Sequence, residues 1–286
     1  MEYTLIADAG STKIDWALVG QDRAGALRFS TTGLNALLAD AAETSRVMLE
    51  AESRIPSDVN ITEIHYYGAG CATPEICGKL RQALEETIGA SGRVSVDSDL
   101  LGAARSLLGD RRGIACILGT GSNSCLYDGS VIERNIPSLG FILGDEGSGA
   151  SLGKRLVADA FKGHLPRTVA DRFLEEYGLT LGDILDKVYR STAPSRFLAS
   201  LVPFLHSHLW NPYVYSLVMT EFRSFLTRNV SPYAGSRSLP ISFTGSIAFH
   251  FADILREAAD ELGFTVGEIT RQPLDGLIRY HSTNQR

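Results

Sequence analysis

Twice in this chain an apolar strand runs into a tip of small residues and returns as a second apolar strand. Residues 5–19 turn at Gly10, Ser11 and Thr12, between Leu-Ile-Ala-Asp8-Ala and Lys13-Ile-Asp-Trp-Ala-Leu-Val. Residues 113–127 repeat the design, with Gly-Ile-Ala-Cys-Ile-Leu, a tip of Gly119, Thr120 and Gly121, and a return through Ser122-Asn123-Ser-Cys-Leu-Tyr. One such hairpin is ordinary. Two of them, each opening a stretch in which strands alternate with helical patterns, predict two α/β halves.

The tips also carry chemistry. Small residues let backbone N–H groups approach an anion closely, and glycine tolerates the positive φ that such a turn needs. Asp8, at the end of the first strand, supplies a carboxylate that can hold Mg²⁺ through water. A third element, residues 239–256, reads as strand, Thr244-Gly245-Ser246 turn and helix, which places helix N-terminal amides beside Gly245 and Ser246. Alone, that turn reads more readily as a plain βα connection than as a nucleotide contact.

This order of motifs resembles the acetate/sugar kinase–Hsp70–actin superfamily, and within it the BadF/BadG/BcrA/BcrD ATPase family in its N-acetylglucosamine kinase-like branch. Residues 8–13, Asp-Ala-Gly-Ser-Thr-Lys, match the first phosphate loop, where Ala9 and Ser11 depart from the usual glycine run. Residues 118–123, Leu-Gly-Thr-Gly-Ser-Asn, match the second, and residues 140–148, Gly-Phe-Ile-Leu-Gly-Asp-Glu-Gly-Ser, match the family segment residue for residue. The resemblance implies an α/β fold of two ribonuclease H-like (actin-like ATPase) domains with a nucleotide cleft between them. It implies an ATP- and Mg²⁺-dependent sugar kinase whose acceptor is an amino sugar, N-acetylglucosamine before its relatives, and whose two domains close to exclude water. A homodimer is likewise an implication of the family.

Composition agrees. The 286 residues are 44% hydrophobic, enough for two cores, and the net charge of −6 argues against nucleic acid as a partner. No apolar stretch reaches membrane length and the amino-terminal residues read as a core strand, so the expected location is cytoplasmic. Cys71, Cys77, Cys116 and Cys125 show no CxxC spacing and read as free thiols, and the six histidines form no metal-ligand spacing beyond His206-x-His208, which reads as a helix face.

Periodicity predicts strands at 3–8, 13–19 and 24–31, a helix over 35–53, a strand at 62–68, a helix over 74–89, a strand at 94–96 and a helix from Ser98 to 108. The domain junction falls at 110–113, which separates an N-terminal domain, 1–112, from a C-terminal one, 113–272. In the second half strands are expected near 114–119, 122–127, 130–136 and 240–244. Its helices are expected over 145–161, 166–177, 180–190, 194–209, 214–230 and 248–262. A last helix within 273–286 is expected, by resemblance, to rejoin the first domain.

For catalysis, Asp99 in the first turn of its helix is placed to take a proton from a sugar hydroxyl. An acid there also complements a helix dipole; the resemblance, through the following x-x-Gly-Ala, selects Asp99 over Asp97. Asn35 matches the family's Gly-x-Asn segment and is expected on the sugar, together with Ser122, Asn123, Gly140, Asp145 and Glu146. Gly10, Ser11, Thr12, Gly119, Thr120, Gly121, Gly245 and Ser246 are expected on ATP. Lys13 reads equally as a phosphate contact or a solvent-facing lysine. Two rivals are an ATPase activator of a 2-hydroxyacyl-CoA dehydratase-type system, which needs closely placed thiolates, and a non-catalytic sugar or nucleotide sensor.

Overall fold

The computed structural model describes residues 2–20 and 25–283. The chain divides into two units, Met1–Asp110 with Pro273–Arg286, and Arg111–Gln272.

The first unit begins with β1 (Glu2–Ala9), β2 (Lys13–Gly20) and β3 (Ala26–Thr32), an antiparallel meander. It continues with α1 (Ala41–Glu52), β4 (Asn60–Gly68), α2 (Pro74–Thr87), β5 (Val94–Ser98) and α3 (Asp99–Leu108). The sheet order is β3-β2-β1-β4-β5, with β4 parallel to β1 and β5 parallel to β4. Alternate residues of a strand face opposite sides, so the run Thr4–Ala7 of β1 can be buried throughout only if both faces are covered. Leu5, Ala7 and Ala9 pack with Trp16 beneath Val47 and Met48 of α1 and Leu80 and Leu84 of α2, while Ile6 belongs to a separate cluster with Ala17 and Tyr67.

The second unit repeats the plan. Its elements are β6 (Gly113–Leu118), β7 (Ser122–Tyr127), β8 (Ile132–Ile136), α4 (Gly140–Leu143), α5 (Gly149–Phe161), α6 (Arg167–Tyr177) and α7 (Leu181–Tyr189). There follow α8 (Pro194–Ser200), α9 (Val202–Ser207), α10 (Pro212–Phe225) with a π turn (Leu226–Val230), β9 (Ile241–Thr244), α11 (Ser246–His250), α12 (Ala252–Glu261) and β10 (Val266–Thr270). The sheet order β10-β9-β6-β7-β8 repeats that of the first unit, with β6 in the place of β1. The chain then adds α13 (Leu274–Thr283) to the first unit, where Leu274 and Leu277 cover Ile6 and Tyr67.

Several expected boundaries move for identifiable reasons. The helix expected from 35 begins at Ala41, because Asn35 Oδ1 accepts the Leu37 N–H (3.1 Å) in a turn and Asp40 caps the helix by accepting from Glu43 N (2.8 Å). The helix expected from 145 begins at Gly149, since Asp145 (φ 58°) and Gly147 (φ 71°) are left-handed and Ser148 is the cap. The helix expected over 194–209 breaks at Leu201 into α8 and α9, and the one over 248–262 breaks at Phe251 into α11 and α12. Pro203, which has no N–H to donate, sits in the first turn of α9. The helix expected over 214–230 starts earlier, at Pro212, and ends in the π turn. Asp128 Oδ1 accepts from Ser130 and Val131 N–H (2.7 and 2.8 Å), which holds those residues in a turn and delays β8. The sequence reading contained neither α4 nor β10. Residue 24, where the third strand was expected to begin, lies outside the described residues.

All four cysteines are free thiols, and burial pushes Cys71 and Cys125 up to about 12 and Cys116 well above the ordinary range. Among the described residues no helix is long and apolar enough to cross a membrane.

Candidate active site

In the first unit the hairpin register sets the site. Ala9 pairs with Ile14 and Asp8 with Asp15, and Gly10 N donates to Lys13 O (3.0 Å) to close the tip. Ser11 and Thr12 are left exposed at the apex. Ala9 is fully buried in the core, so its departure from glycine puts no methyl group at the tip. The Lys13 ammonium lies back along its own strand, 2.8 Å from Asp15 Oδ2. Residues 33–35 are tied to this tip. Gly33 N donates to Thr12 O (3.2 Å), Leu34 N to Gly10 O (3.1 Å), and Asn35 Nδ2 to Ser11 Oγ (3.3 Å). A Cβ on Gly33 would strike the Thr12–Lys13 backbone, so glycine is required there by proximity.

Asp99 opens α3, with Ser98 Oγ capping Leu101 N (3.2 Å) and Asp99 Oδ1 accepting from Leu100 N (2.9 Å). Burial raises its carboxyl above the usual range, against the pull of the backbone N–H groups. Burial also pushes Asp8 up, to about 7, with further contributions from the Asp15 and Asp99 carboxylates and an opposing one from Lys13. Asp8 and Asp99 are therefore a pair of half-buried acids with raised affinity for a proton or a cation. Asp97 has a different employment, since its carboxylate lies 3.6 Å from Arg105.

In the second unit the loop after β6 folds onto α5. Gly119 N donates to Gly121 O (2.9 Å), while the first amides of α5, Gly149 N and Ala150 N, donate to Gly119 O (2.8 Å) and Thr120 O (3.0 Å). The N-terminus of a 13-residue helix thus stands directly behind the loop. Asp145, held left-handed and only 7% exposed, reaches the same loop. A Cβ on Gly121 would stand 3.0 Å from its Oδ2. Burial pushes Asp145 up to about 6, opposed by the Ser122 N–H and reinforced by Glu146. Glu146 itself is taken by protein groups, Arg228 Nε at 2.7 Å and Asn229 Nδ2 at 3.1 Å. Asn123 Oδ1 accepts from Asn135 Nδ2 (2.9 Å), and buried Ser122 starts β7. Gly140, with φ 74°, opens α4. Gly245, with φ 117°, receives its conformation from crowding, because a Cβ there would strike the Leu118 carbonyl. Its turn, with exposed Ser246, therefore lies against the root of the 119–121 loop.

The expected residues thus gather in two sets: Asp8, residues 10–13, Asn35 and Asp99 in one unit, and residues 119–123, Asp145 and the 245–246 turn in the other. Sequence reasoning missed Asp15, which pairs with Asp8 because the tip spans four residues, 10–13, one more than the small-residue run shows. It also missed Arg228 and Asn229, whose hold on Glu146 spans about eighty residues and leaves no local signal. No group of three or more His, Cys, Asp or Glu side chains among the described residues is arranged to hold a metal.

No family model and no curated protein matches the chain. Among solved structures, one from Porphyromonas gingivalis, provisionally named an N-acetylglucosamine kinase, is 43% identical, covers 99% of this chain and 100% of its own, and superposes with a TM-score of 0.89. The chain belongs to this family, the N-acetylglucosamine kinase-like branch of the BadF/BadG/BcrA/BcrD ATPases. Two more distant structures share the fold. One from Chromobacterium violaceum, with the same provisional name, is 19% identical over 97% of this chain and 98% of that one, with a TM-score of 0.74. An ethanolamine utilization protein from Carboxydothermus hydrogenoformans is 15% identical over 98% and 89%, with a TM-score of 0.52. The fold is the two-domain actin-like ATPase type.

Proposed function

We propose that the chain is an ATP-dependent kinase of an amino sugar, with N-acetylglucosamine as the first candidate acceptor. The observation that carries this reading is the Asp8–Asp99 pair beside a small-residue phosphate loop, in a chain 43% identical to a protein provisionally named N-acetylglucosamine kinase.

Each residue has a role in this reading. Backbone amides at Ser11 and Thr12 and at Thr120 and Gly121 receive the phosphates, while Gly10 and Gly119, whose own amides close the tips, let the phosphates approach closely; the second tip is backed by the α5 N-terminus. The turn at Gly245 and Ser246 lies beside the adenosine. Asp8 suits a hydrated Mg²⁺: it is a half-buried carboxylate near Asp15 and Asp99, and Lys13 is already engaged by Asp15. The bound cation supplies positive charge to the phosphate oxygens during transfer. Asp99 takes the proton from the acceptor hydroxyl, and its raised affinity for a proton brings it toward the working range of a general base. Asp145 and Asn35 accept and donate hydrogen bonds to the sugar, with Ser122, Asn123 and Gly140 lining its approach. Glu146 holds the position of Asp145 through its anchorage to Arg228 and Asn229.

The test is ADP release with MgATP against a panel of amino sugars, for the wild type and Asp99→Asn. Sugar-dependent turnover in the wild type that falls by a factor of about 10²–10⁴ in the variant supports the reading. Absence of stimulation by any sugar overturns it.

A further inference from the structure

The first unit contains a polar cavity that the 10–13 tip, Asp8 and Asp99 do not line. It measures about 240 Å³ and is walled by Glu63, His65, Arg93, Ser95, Arg105, Tyr280 and His281. The imidazoles of His65 and His281 stack at 3.7 Å, and the Arg105 guanidinium sits 5.4 Å over the Tyr280 ring and 5.7 Å over Tyr67.

Its hydrogen bonds leave positive donors in surplus. Arg105 NH1 donates to Tyr67 Oη (2.9 Å), so the phenol hydrogen goes to His281 Nε2 (2.8 Å). That fixes the proton of neutral His281 on Nδ1, where no acceptor meets it among the described residues. His65 Nε2 donates to Glu63 Oε2 (2.9 Å) and its Nδ1 accepts from Ser95 Oγ (2.8 Å). Arg105 Nε is buried without any hydrogen-bond partner, and Asp97 stands off at 3.6 Å. The walls therefore hold two guanidinium groups and one carboxylate, Glu63, which is already engaged by His65, while Asp97 faces Arg105 from outside the lining.

We propose that this cavity binds a small oxyanion, and that its chemistry is that of a phosphate or phosphomonoester group. Arg93 supplies a fork of donors suited to such oxygens, Arg105 adds its remaining terminal amino group, and His281 adds its Nδ1–H. Burial first, and then the neighbouring imidazole and both arginines, push His281 down to about 3, so an anion in the cavity must raise its affinity for a proton. His65 is lowered mainly by burial, with Glu63 opposing. The groups facing these imidazoles are Glu63 and Tyr67 from β4, Arg93 and Ser95 at and before the start of β5, Arg105 from α3, and Tyr280 from α13. Because α13 forms one wall, occupation fastens that helix to the sheet.

The test follows the histidine ring signals by NMR, assigned through His65→Gln and His281→Asn. Sulfate, a dianion throughout the working pH range, inorganic phosphate and a hexose 6-phosphate are titrated against chloride of equal ionic strength. We expect saturable shifts of both rings with sulfate and phosphate, and a His281 titration midpoint raised by about one pH unit or more. Arg93→Ala, a change at an exposed residue that leaves the core intact, should weaken binding at least about tenfold. Tighter binding of the hexose phosphate than of phosphate identifies a metabolite as the ligand; equal binding identifies the free ion. Shifts no larger than those in chloride, or shifts that Arg93→Ala leaves unchanged, overturn the proposal, and neither outcome bears on turnover at Asp99.

Discussion

Asp97 and Asp99 lie two residues apart, yet the fold gives them separate work. Asp97, the fourth residue of β5, faces Arg105, whereas Asp99 begins α3 beside Asp8. Asp97→Asn should therefore lower stability through Arg105 more than it lowers kcat, and Asp99→Asn should do the reverse. Asp8 makes a pH prediction. Its folded carboxyl titrates near 7, above the ordinary 3.8, so the native state binds more protons than the unfolded chain between those values. The favourable contribution is full below about 3.8 and is lost as the pH rises toward 7. Asp8→Asn, which stays neutral, should raise Tm relative to wild type at pH 8 and have little effect at pH 4. The gain is no more than about 4 kcal/mol, the value of three pKa units. Thermal melts at the two pH values check it, and added Mg²⁺ should narrow the difference by stabilising only the wild type.

Among the elements, what could be read from sequence was whatever is set locally. Strands β1, β2, β6 and β7 announce themselves through apolar runs broken by small residues, and α2 and α3 through Thr73 and Ser98 as caps. What could not be read depends on distant partners. β10, Val-Gly-Glu-Ile-Thr, is half-exposed and has no apolar alternation; it becomes a strand by pairing with β9. The π turn is equally silent in sequence, although it is the segment that presents Arg228 and Asn229 to Glu146. The candidate site followed the same division: Asp8, Asn35, Asp99 and Asp145 sit in recognisable motifs, whereas Asp15 and Arg228 emerge only from register and packing. Gly245 tests an element whose geometry the motif does announce. Its φ of 117° and ψ of 157° belong to a region that only glycine occupies comfortably, and a side chain would collide with the Leu118 carbonyl. Gly245→Ala should cost about 3 kcal/mol in urea unfolding and raise the KM for ATP by displacing the 119–121 loop. Unchanged stability would mean that the turn relaxes freely and does not brace the loop.

For the whole molecule, the same strand order in both units explains how one chain presents two hairpins with small-residue tips: each unit places its hairpin at the central strand of its own sheet. The units differ in what covers the second face. The first obtains part of its cover from the far end of the chain, through α13. Leu274 and Leu277 are buried against Ile6, Ala17 and Tyr67, Ser106 Oγ donates to Pro273 O (2.7 Å), and Gly276 packs so tightly on Ser106 that a Cβ would strike it. Two leucines fully buried contribute about 3–6 kcal/mol, a large share of the stability of a unit this size. Removing residues 273–286 should therefore unfold the first unit at a lower denaturant concentration while the second keeps its own core. Trp16 lies buried in the first unit and Trp210, mostly exposed, in the second, so the emission of Trp16 reports the first unit's core. In the truncated chain the red shift of that buried tryptophan should come well before the main loss of helical circular dichroism, which the second unit dominates. A single coincident transition at the full-length midpoint would mean that α13 contributes nothing to the first core.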